Sequence, residues 1–291
     1  MKIDGFVLTS SPHAKKDVSI KKIMYTVIIT LIPVMIASVF YFGARVLLVY
    51  LVSVGTAVFT EAAVKLIRKQ DIMMALDGSA IITGILLAMT LPPSISLQIT
   101  ALGSFLAILL GKEIFGGLGS NIWNPALVGR AILMVSYTGE LTTWDLPKNV
   151  FKFLPDAFGL YGSNVPDAVT FATPLNALKN SGVVNQSVLR QIFGQTGGCI
   201  GETSAILIII GGLVLIALKY VNWKQVVSYI GTVFVITGIL FLIDQTKYAN
   251  PFFHIFSGGL MLGAFYMASD MVTSPYTDKG NIIFGVGAGA G

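Results

Sequence analysis

The sequence predicts an all-α, polytopic membrane protein. Of its 291 residues, 54% are hydrophobic and only 11% are charged, whereas soluble domains carry about 25% charged residues. Apolar runs that can cross a bilayer core of about 30 Å recur along the chain, and the 31 glycines are typical of closely packed membrane helices. The net charge of +5 is therefore a topology signal. It gives no reason to expect nucleic acid binding.

The apolar runs form two groups separated by a polar loop. The first group follows a polar, basic segment, 1–22, that lacks the features of a cleavable signal peptide. Its runs lie near 23–42, 46–67, 79–91, 95–111 and 122–137. The third run is short because Pro92 and Pro93 end it.

The second group follows a loop that is rich in turn residues. Its runs lie near 203–218, 226–243 and 252–269, and a last stretch, Asn281 to Gly291, is too short to span a bilayer. The stretch is either the first part of a truncated helix or a re-entrant segment; we favour truncation, so we expect five spans on each side of the loop. The predicted segments are a cytoplasmic N-terminal segment 1–22, a first transmembrane repeat 23–137, an extracytoplasmic loop 138–202, and an incomplete second repeat 203–291.

Basic residues predict the orientation in the membrane. They lie before the first run, after the second and the fourth, and between the sixth and the seventh. They are Lys15, Lys16, Lys21, Lys22, Lys65, Arg68, Lys69, Lys112, Lys219 and Lys224. If each run crosses once, all lie on one side, which the positive-inside rule makes the cytoplasm. We therefore expect a cytoplasmic N-terminus and an external loop, with Arg45 as the main exception.

A weak internal repeat relates the two groups. Residues 83–89 lead to Leu91-Pro92-Pro93, and residues 258–264 lead to Thr273-Ser274-Pro275. Each is an interrupted helix at the third position of its group, and an odd number of earlier spans would invert the second group. Inverted repeats with broken helices usually enclose a site within the membrane. The alternative is that glycine-rich apolar segments resemble one another by chance.

Few residues could hold a metal. Cys199 is the single cysteine, whereas an iron–sulfur cluster typically needs four thiolates. His13 and His254 do not have the spacing of zinc or haem ligands. We predict no metal site, so that any redox chemistry must come from an organic cofactor or from partner subunits.

The loop contains the run Asp-Ala-Val-Thr-Phe-Ala-Thr-Pro-Leu at residues 167–175. Pro174 favours an extended backbone at Thr173, which would keep the threonine hydroxyl away from its own backbone. Ala172 leaves room beside it. From the residues alone, however, a Thr-Pro pair in a loop is usually just a turn.

This run resembles the flavin-attachment motif of the RnfD subunit of Rnf-type ion-translocating redox complexes. It is also similar to that of the NqrB subunit of the related sodium-translocating NADH:quinone reductase. In those families the last Thr of a Ser/Thr-Gly-Ala-Thr run carries FMN through a phosphodiester bond, and that residue corresponds to Thr173. Thr170 and Ala172 match the motif, whereas Phe171 stands where the families usually have Gly. The resemblance implies an extracytoplasmic loop that carries covalent FMN.

Three further segments carry the same resemblance and extend it over most of the chain. They are Ser11-Pro12-His13 before the first run, Asp77-Gly78 with residues 84–93, and residues 117–126. The reductase subunit has a longer N-terminal extension that is missing here, so the Rnf subunit is the better match.

The function that the resemblance implies is electron transfer in an Rnf-type ferredoxin:NAD oxidoreductase, coupled to translocation of sodium ions or protons across a prokaryotic inner membrane. The expected partners are membrane lipid and the other Rnf subunits, including an external flavin subunit and iron–sulfur membrane subunits. A flavin transferase is expected for maturation. A second, non-covalent flavin, riboflavin, is expected within the membrane part.

The triplet Asn124-Pro125-Ala126 allows several interpretations. Asn at the N-cap and Pro at the first helical position predict a capped helix start. Because a helix N-terminus attracts electron-rich groups, Asn124 is also a candidate wall of the riboflavin site. Aquaporins use the same triplet at half-helix tips, so a small-solute channel or secondary transporter is the alternative function, and a structural scaffold is a third.

Acidic residues in or next to membrane spans are candidates for function. Glu61, Asp77 and Asp270 are predicted to be ion-path or structural residues. Glu61 and Lys65 have the i, i+4 spacing of an ion pair on a helix surface near the headgroups. Asp77 is placed as a possible N-cap of the third run, and Asp270 ends the eighth run beside Thr273.

Overall fold

The fold is all-α and polytopic, as predicted. A computed structural model describes residues 2–3, 6–7, 19–144, 191–192, 197–202, 204–245 and 248–291. The stretches Ile20–Phe42, Arg45–Ile67, Leu97–Phe115 and Trp223–Ile243 are helical, and each is long and apolar enough to cross a membrane. The β-structure in the described part is a pairing of two-residue strands, Lys2–Ile3 (β1) with Phe6–Val7 (β2).

The helices follow the predicted order. Those before the loop are α1 Ile20–Phe42, α2 Arg45–Ile67, α3 Ser79–Thr90, α4 Leu97–Gly111, α5 Pro125–Ser136 and α6 Thr138–Leu141, with 3₁₀ turns at Ile72–Leu76 and Glu113–Phe115. Those after it are a 3₁₀ turn Ile200–Glu202, α7 Ala205–Ala217, α8 Trp223–Ile243, α9 Pro251–Phe256, α10 Leu260–Leu262 and α11 Asp278–Ala290. A π-helix, Gly263–Met267, continues α10.

Side-chain caps determine where these helices begin. The side chains of Ser19, Ser96 and Ser204 accept hydrogen bonds from backbone N–H groups in the first turns of α1, α4 and α7. Thr277 does the same for α11, accepting from the backbone N–H of Gly280. The last helix therefore begins at Asp278, before the apolar stretch that was predicted to start at Asn281, because the cap lies in the polar segment.

Helices α1–α5 form one half of the molecule, and the described part from Ile200 onward, including α7–α11, forms the other. In the first half α2 packs against α3 and α4, and α4 packs against α5. In the second half α8 packs against α11, and α1 and α7 meet between the halves. The pair α8–α11 thus occupies in its half the place that α2–α4 has in the first, which supports the predicted repeat. The domain boundaries stay a prediction.

The third element of each half is short or broken, as expected. Helix α3 has 12 residues and ends before Pro92. In the second half, Ser257–Gly259 separates α9 from α10, and Gly258 has a left-handed φ of 67°. The π-helix that follows is a rare conformation that occurs frequently at functional sites.

The two kinds of helix surface differ as expected for a membrane protein. On α8 the apolar side chains of Phe234, Val235 and Ile239 are exposed, a surface suited to lipid or to an apolar partner helix. Within the first half, a methyl group on Gly84 would lie 2.7 Å from the Cα of Val54. The backbones of α2 and α3 therefore touch, as small residues allow in membrane helix packing.

Candidate functional site: a buried ionic cluster and two cavities

A cluster of charges is buried where α2 and α4 end and α3 begins. Glu61 and Lys112 are 0% and 1% exposed, and the Lys112 Nζ lies 2.7 Å from Glu61 Oε2. Lys65 Nζ lies 3.6 Å from Glu61 Oε1. The predicted pair on the helix surface is therefore wrong in its burial. Lys112 follows the end of α4 and lies against Glu61 of α2, so this carboxylate is shielded from solvent.

Ser79 joins this pair to Asp77. Lys112 Nζ donates a hydrogen bond to Ser79 Oγ, and Ser79 Oγ donates to Asp77 Oδ1. Asp77 Oδ1 also accepts the backbone N–H of Ser79 at 2.7 Å. Gly78, with φ 97°, is the N-cap residue of α3. Asp77 was predicted as a possible N-cap; it instead precedes the cap and satisfies the first N–H of the helix from there.

A second ion pair, between the buried Glu113 and the exposed Arg68, lies next to the first. Glu113 is 0% exposed, and its Oε2 lies 3.3 Å from Arg68 Nη1. Arg68 Nη2 also donates to the Glu113 carbonyl oxygen. Because the Glu113 side chain is buried, its carboxylate depends on a partner such as Arg68 to offset the desolvation penalty.

A small cavity with a mostly apolar lining, here called the interhalf cavity, lies between the two halves next to the ionic cluster. Its volume is about 80 Å³, which has room for several waters. This is below the roughly 300 Å³ of ordinary cofactor pockets. Polar lining residues include Ser79, Lys112, Asn121, Asn124, Tyr266 and Asp270. The predicted candidates Asn124 and Asp270 thus meet in space, and Glu61 and Asp77 reach the same cavity through Lys112 and Ser79.

Asp270 lies on the second-half wall of the interhalf cavity. Its carboxylate accepts from the Val272 backbone N–H at 3.4 Å and from the Thr273 hydroxyl at 3.5 Å. This agrees with its predicted position at the end of a run beside Thr273. A role of Glu61, Asp77 and Asp270 in an ion path stays a prediction.

Asn124 connects the two halves. Its Oδ1 accepts the Ala126 N–H at 3.0 Å, which makes it the N-cap of α5 with Pro125 in the first turn. Its Nδ2 donates to the carbonyl oxygen of Met267 at 3.2 Å, at the end of the π-helix. Gln225 Nε2 donates to the next carbonyl, that of Ala268, at 2.6 Å. The predicted cap is confirmed, and the cap residue also closes the end of the broken helix.

A large cavity lies on the other side of Asn124. Its volume is about 1090 Å³, and its walls come from α5, α8, α11 and the broken helix. Most of the lining is apolar, and Arg130, Glu202 and Ser257 supply polar groups. Arg130 Nη1 and Ser257 Oγ are buried and have no hydrogen-bond partner in the described part of the chain. Such atoms mark places where a ligand can donate or accept hydrogen bonds.

Glu202 has an unusual environment at the edge of the large cavity, before α7 begins. Desolvation raises the pKa of Glu202 to about 7, while a hydrogen bond with Cys199 and the charge of Arg130 partly oppose this rise. Sequence reasoning missed both charged residues. Arg130 lies inside the apolar run 122–137, and a lone arginine within a span was a signal that could have identified it.

The predicted flavin-attachment residues Thr170, Phe171, Ala172 and Thr173 lie outside the described residues. Among the residues that are described, no group of three or more His, Cys, Asp or Glu side chains is arranged to hold a metal ion.

Comparison with known proteins identifies the family. The model of the NQR2, RnfD, RnfE family matches residues 7–291. The chain belongs to this family. A relative from Clostridium ljungdahlii, the D subunit of the proton-translocating ferredoxin:NAD(+) oxidoreductase complex, is 45% identical over 98% of this chain and 84% of its own length.

Other members of the family are similar over the same region. The D subunit of the Na(+)-translocating ferredoxin:NAD(+) oxidoreductase complex of Acetobacterium woodii is 38% identical over 98% of this chain and 83% of its own length. The D subunit of the ion-translocating oxidoreductase complex of Rhodobacter capsulatus is 34% identical over 96% of this chain and 82% of its own length.

Proposed function

We propose that this chain is a membrane electron-transfer subunit of an Rnf-type ferredoxin:NAD oxidoreductase that couples redox flow to translocation of sodium ions or protons. The observation that supports this most directly is the 45% identity, over 98% of the chain, to the D subunit of such a complex. Family relatives are named for either ion. The partners are the other subunits of the complex, including an external flavin subunit and iron–sulfur membrane subunits.

In this proposal Thr173 holds FMN covalently in the loop 138–202. The Thr173 hydroxyl supplies the ester oxygen, and Thr170, Phe171 and Ala172 surround the attachment point. A separate flavin transferase makes the bond. Flavin accepts electrons singly or in pairs, which suits it to relay electrons between iron–sulfur centres and other carriers.

The large cavity is the better candidate for the second flavin, riboflavin. Its volume of about 1090 Å³ admits a tricyclic ring system, whereas the interhalf cavity of about 80 Å³ does not. Arg130 Nη1 and Ser257 Oγ, which have no hydrogen-bond partner among the described residues, offer hydrogen bonds to a polar ring edge. Asn124 lines this cavity too, in accord with its predicted place in the wall of a flavin site.

The orientation follows from the basic residues. Lys65, Arg68 and Lys112 lie at the ends of α2 and α4, and Tyr220, next to Lys219, lines the interhalf cavity with Lys112. This basic end faces the cytoplasm under the positive-inside rule. The N-terminus is then cytoplasmic, and the loop with Thr173 lies outside the inner membrane of a prokaryotic cell.

The test is direct. The chain is coexpressed with a flavin transferase, separated on a denaturing gel and examined by in-gel flavin fluorescence and intact-mass spectrometry. We expect a fluorescent band with the mass of one FMN adduct in the wild type and in Thr170→Ala, and no adduct in Thr173→Ala. A bare polypeptide from the native host contradicts covalent flavin. An adduct that survives Thr173→Ala shows that another residue carries it.

The second candidate function is a channel or secondary transporter for a small solute. The broken helix α9–α10 beside the large cavity favours it, because transporters place interrupted helices at their binding sites. It requires solute flux into liposomes by the chain alone, with no bound cofactor. Absence of flux together with a flavin absorption band excludes this candidate.

A further inference from the structure

We propose that Asp77, Ser79 and Lys112 form a proton relay from the basic end of the molecule to the interhalf cavity, with Glu61 as the counterion of Lys112. The proposal rests on the proposed function for the identity of the final proton acceptor, which is the flavin assigned to the large cavity. The relay assigns a role to these four side chains, which have no role in the proposed function itself.

The relay is continuous in the structure. Lys112 Nζ donates to Ser79 Oγ, and Ser79 Oγ donates to Asp77 Oδ1. Each member exchanges protons or carries them through a hydroxyl group. Hydrogen-bonded side chains of this kind within membranes are typical of proton pathways.

The two ends of the relay lie in different environments. Asp77 is half-buried in the connection between α2 and α3, at the same basic end as Arg68, and in the proposed relay its carboxylate is the group that exchanges protons with the aqueous phase. Lys112 is 1% exposed and lines the interhalf cavity. A proton taken up at Asp77 is thus delivered inside the molecule.

Packing alone does not account for the cluster. Burying Lys112 with Glu61 carries a desolvation penalty, and apolar side chains of similar volume would join α2 to α4 equally well. Glu61 Oε2 lies 2.7 Å from the Lys112 Nζ and is its nearest carboxylate partner. In the described part of the chain, the other charged groups near the relay are Lys65 on α2, the neighbouring pair of Arg68 with Glu113, and Asp270 across the cavity. The resting charge of Lys112 is therefore balanced.

The proton step conserves charge and atoms. Lys112 releases a proton from Nζ into the cavity and takes the proton of the Ser79 hydroxyl. Ser79 takes a proton from the Asp77 carboxyl group, which Asp77 has received from the aqueous phase at the basic end. One proton moves inward and the relay returns to its starting state. A sodium ion is disfavoured on this route because the Lys112 ammonium group lies between Ser79 and Glu61 and repels a cation, so the relay is separate from any sodium path.

The far side of the interhalf cavity leads to the acceptor. Asn124 lines both this cavity and the large cavity, so the two adjoin. Electrons that reach a flavin in a mostly apolar cavity leave an uncompensated charge, which is costly there. Protons delivered through the interhalf cavity remove that charge. The electrons come from the redox partners of the complex.

The experiment uses the purified, intact complex and a matched pair of variants, Ser79→Ala and Ser79→Thr. Both change the side chain at a cavity wall, but only threonine keeps the hydroxyl group. We expect Ser79→Ala to lower turnover about tenfold and to increase the solvent deuterium isotope effect, since positioned proton-transfer groups contribute at least this much. Ser79→Thr should stay within about twofold of the wild type. The ratio of the turnover rates of Ser79→Ala and Ser79→Thr should not depend on sodium concentration.

A second variant and a spectroscopic readout test the entrance. Asp77→Asn should slow turnover to a similar extent, and a small weak acid such as formate should restore it by carrying protons past the missing carboxyl group. Infrared difference spectra between oxidised and reduced complex should show a carboxyl C=O band that is lost in Asp77→Asn. A purely structural role of Asp77 would give no formate rescue in Asp77→Asn and no such carboxyl band in the wild-type difference spectrum.

The outcomes separate this proposal from the one on which it rests. Flavin content of the wild-type complex is measured first by absorbance, and its absence contradicts the proposed function. With normal flavin content, equal turnover and equal isotope effects in Ser79→Ala and Ser79→Thr overturn the relay alone. Failure of formate to restore Asp77→Asn also overturns it.

Discussion

The two halves of the molecule use a similar helix arrangement but place their charges differently. The first half encloses Glu61 with Lys112, and these side chains are 0% and 2% exposed. In the described second half, the corresponding helix pair α8–α11 carries an ion pair between Lys224 and Asp278, whose side chains are 32% and 65% exposed. The scaffold is repeated, whereas the buried charge is not. An inverted repeat can therefore supply a symmetrical frame for an asymmetrical function.

The largest difference in stability between the halves should appear when the ion pair of each half is broken in turn. Lys112→Met leaves Glu61 charged and buried, so we expect a loss of about 3–5 kcal/mol of stability. Lys224→Met should leave the melting temperature almost unchanged, because that pair is exposed to solvent. Thermal unfolding in detergent measures both.

A double variant isolates the cause. Glu61→Met combined with Lys112→Met removes both buried charges and should recover most of the stability that Lys112→Met loses. Equal melting temperatures for Lys112→Met and Lys224→Met would show that the first-half pair is not enclosed as described.

The next effect concerns Glu202, a carboxyl group at the start of the second half. Its pKa rises from 4.5 to about 7 in the folded protein. Between these values the folded state holds a proton that the unfolded state has lost, so stability falls as the pH rises through this window and stays lower above it. We expect the melting temperature to fall by about 5 °C between pH 5 and pH 8. Glu202→Gln should be less sensitive to pH.

Glu61→Gln provides the contrast. It leaves Lys112 without its carboxylate and should lower the melting temperature across the whole pH range. A pH profile of Glu202→Gln that follows the wild type would mean that another group titrates in this window.

A smaller difference in the free energy of unfolding should come from the closeness of helix packing in the two halves. A methyl group at Gly84 meets the Cα of Val54 at 2.7 Å, whereas one at Gly231 on α8 meets no atom within 4 Å in the described structure. Gly84→Ala should cost about 1–3 kcal/mol through overpacking. Gly231→Ala should be neutral or slightly stabilising. Chemical denaturation of the two variants gives the comparison, and similar losses would contradict the contact between α2 and α3.

The smallest effect separates capping from contact between the halves. Asn124 and Asn250 both cap a helix that starts with proline, and Asn124 alone of the two also bonds to Met267 in the described structure. Serine retains the cap but not the amide donor. Asn124→Ser should therefore cost about 1 kcal/mol more than Asn250→Ser. Equal melting temperatures for the two variants would show that the hydrogen bond between Asn124 and Met267 does not contribute to stability.

Local patterns in the sequence predicted much of the fold. The apolar runs predicted the spans because the thickness of the bilayer sets the length of a helix that crosses it. The Asn124-Pro125 pair identified the start of α5 because capping depends on adjacent residues. The short third element of the first half followed from Pro92 and Pro93.

The site depended on contacts that no local pattern contains. Lys112 counted as a topology signal after the fourth run, yet it is buried against Glu61, which is 51 positions earlier. Asn124 and Met267 are 143 positions apart and touch only because the halves meet. Burial of a charge is a property of the assembled helices, so the sequence named Glu61 and left its partner Lys112 unrecognised.

The sealed end of the broken helix limits how the molecule can move. The carbonyl of Met267 is tied to Asn124 in one half, and the adjoining carbonyl of Ala268 is tied to Gln225 in the other. A rocking motion of one half against the other would break the first of these hydrogen bonds and leave the Met267 carbonyl without its Asn124 donor. These hydrogen bonds favour a rigid arrangement of the two halves. Under the proposed function, a rigid subunit would keep its distances to other electron carriers constant.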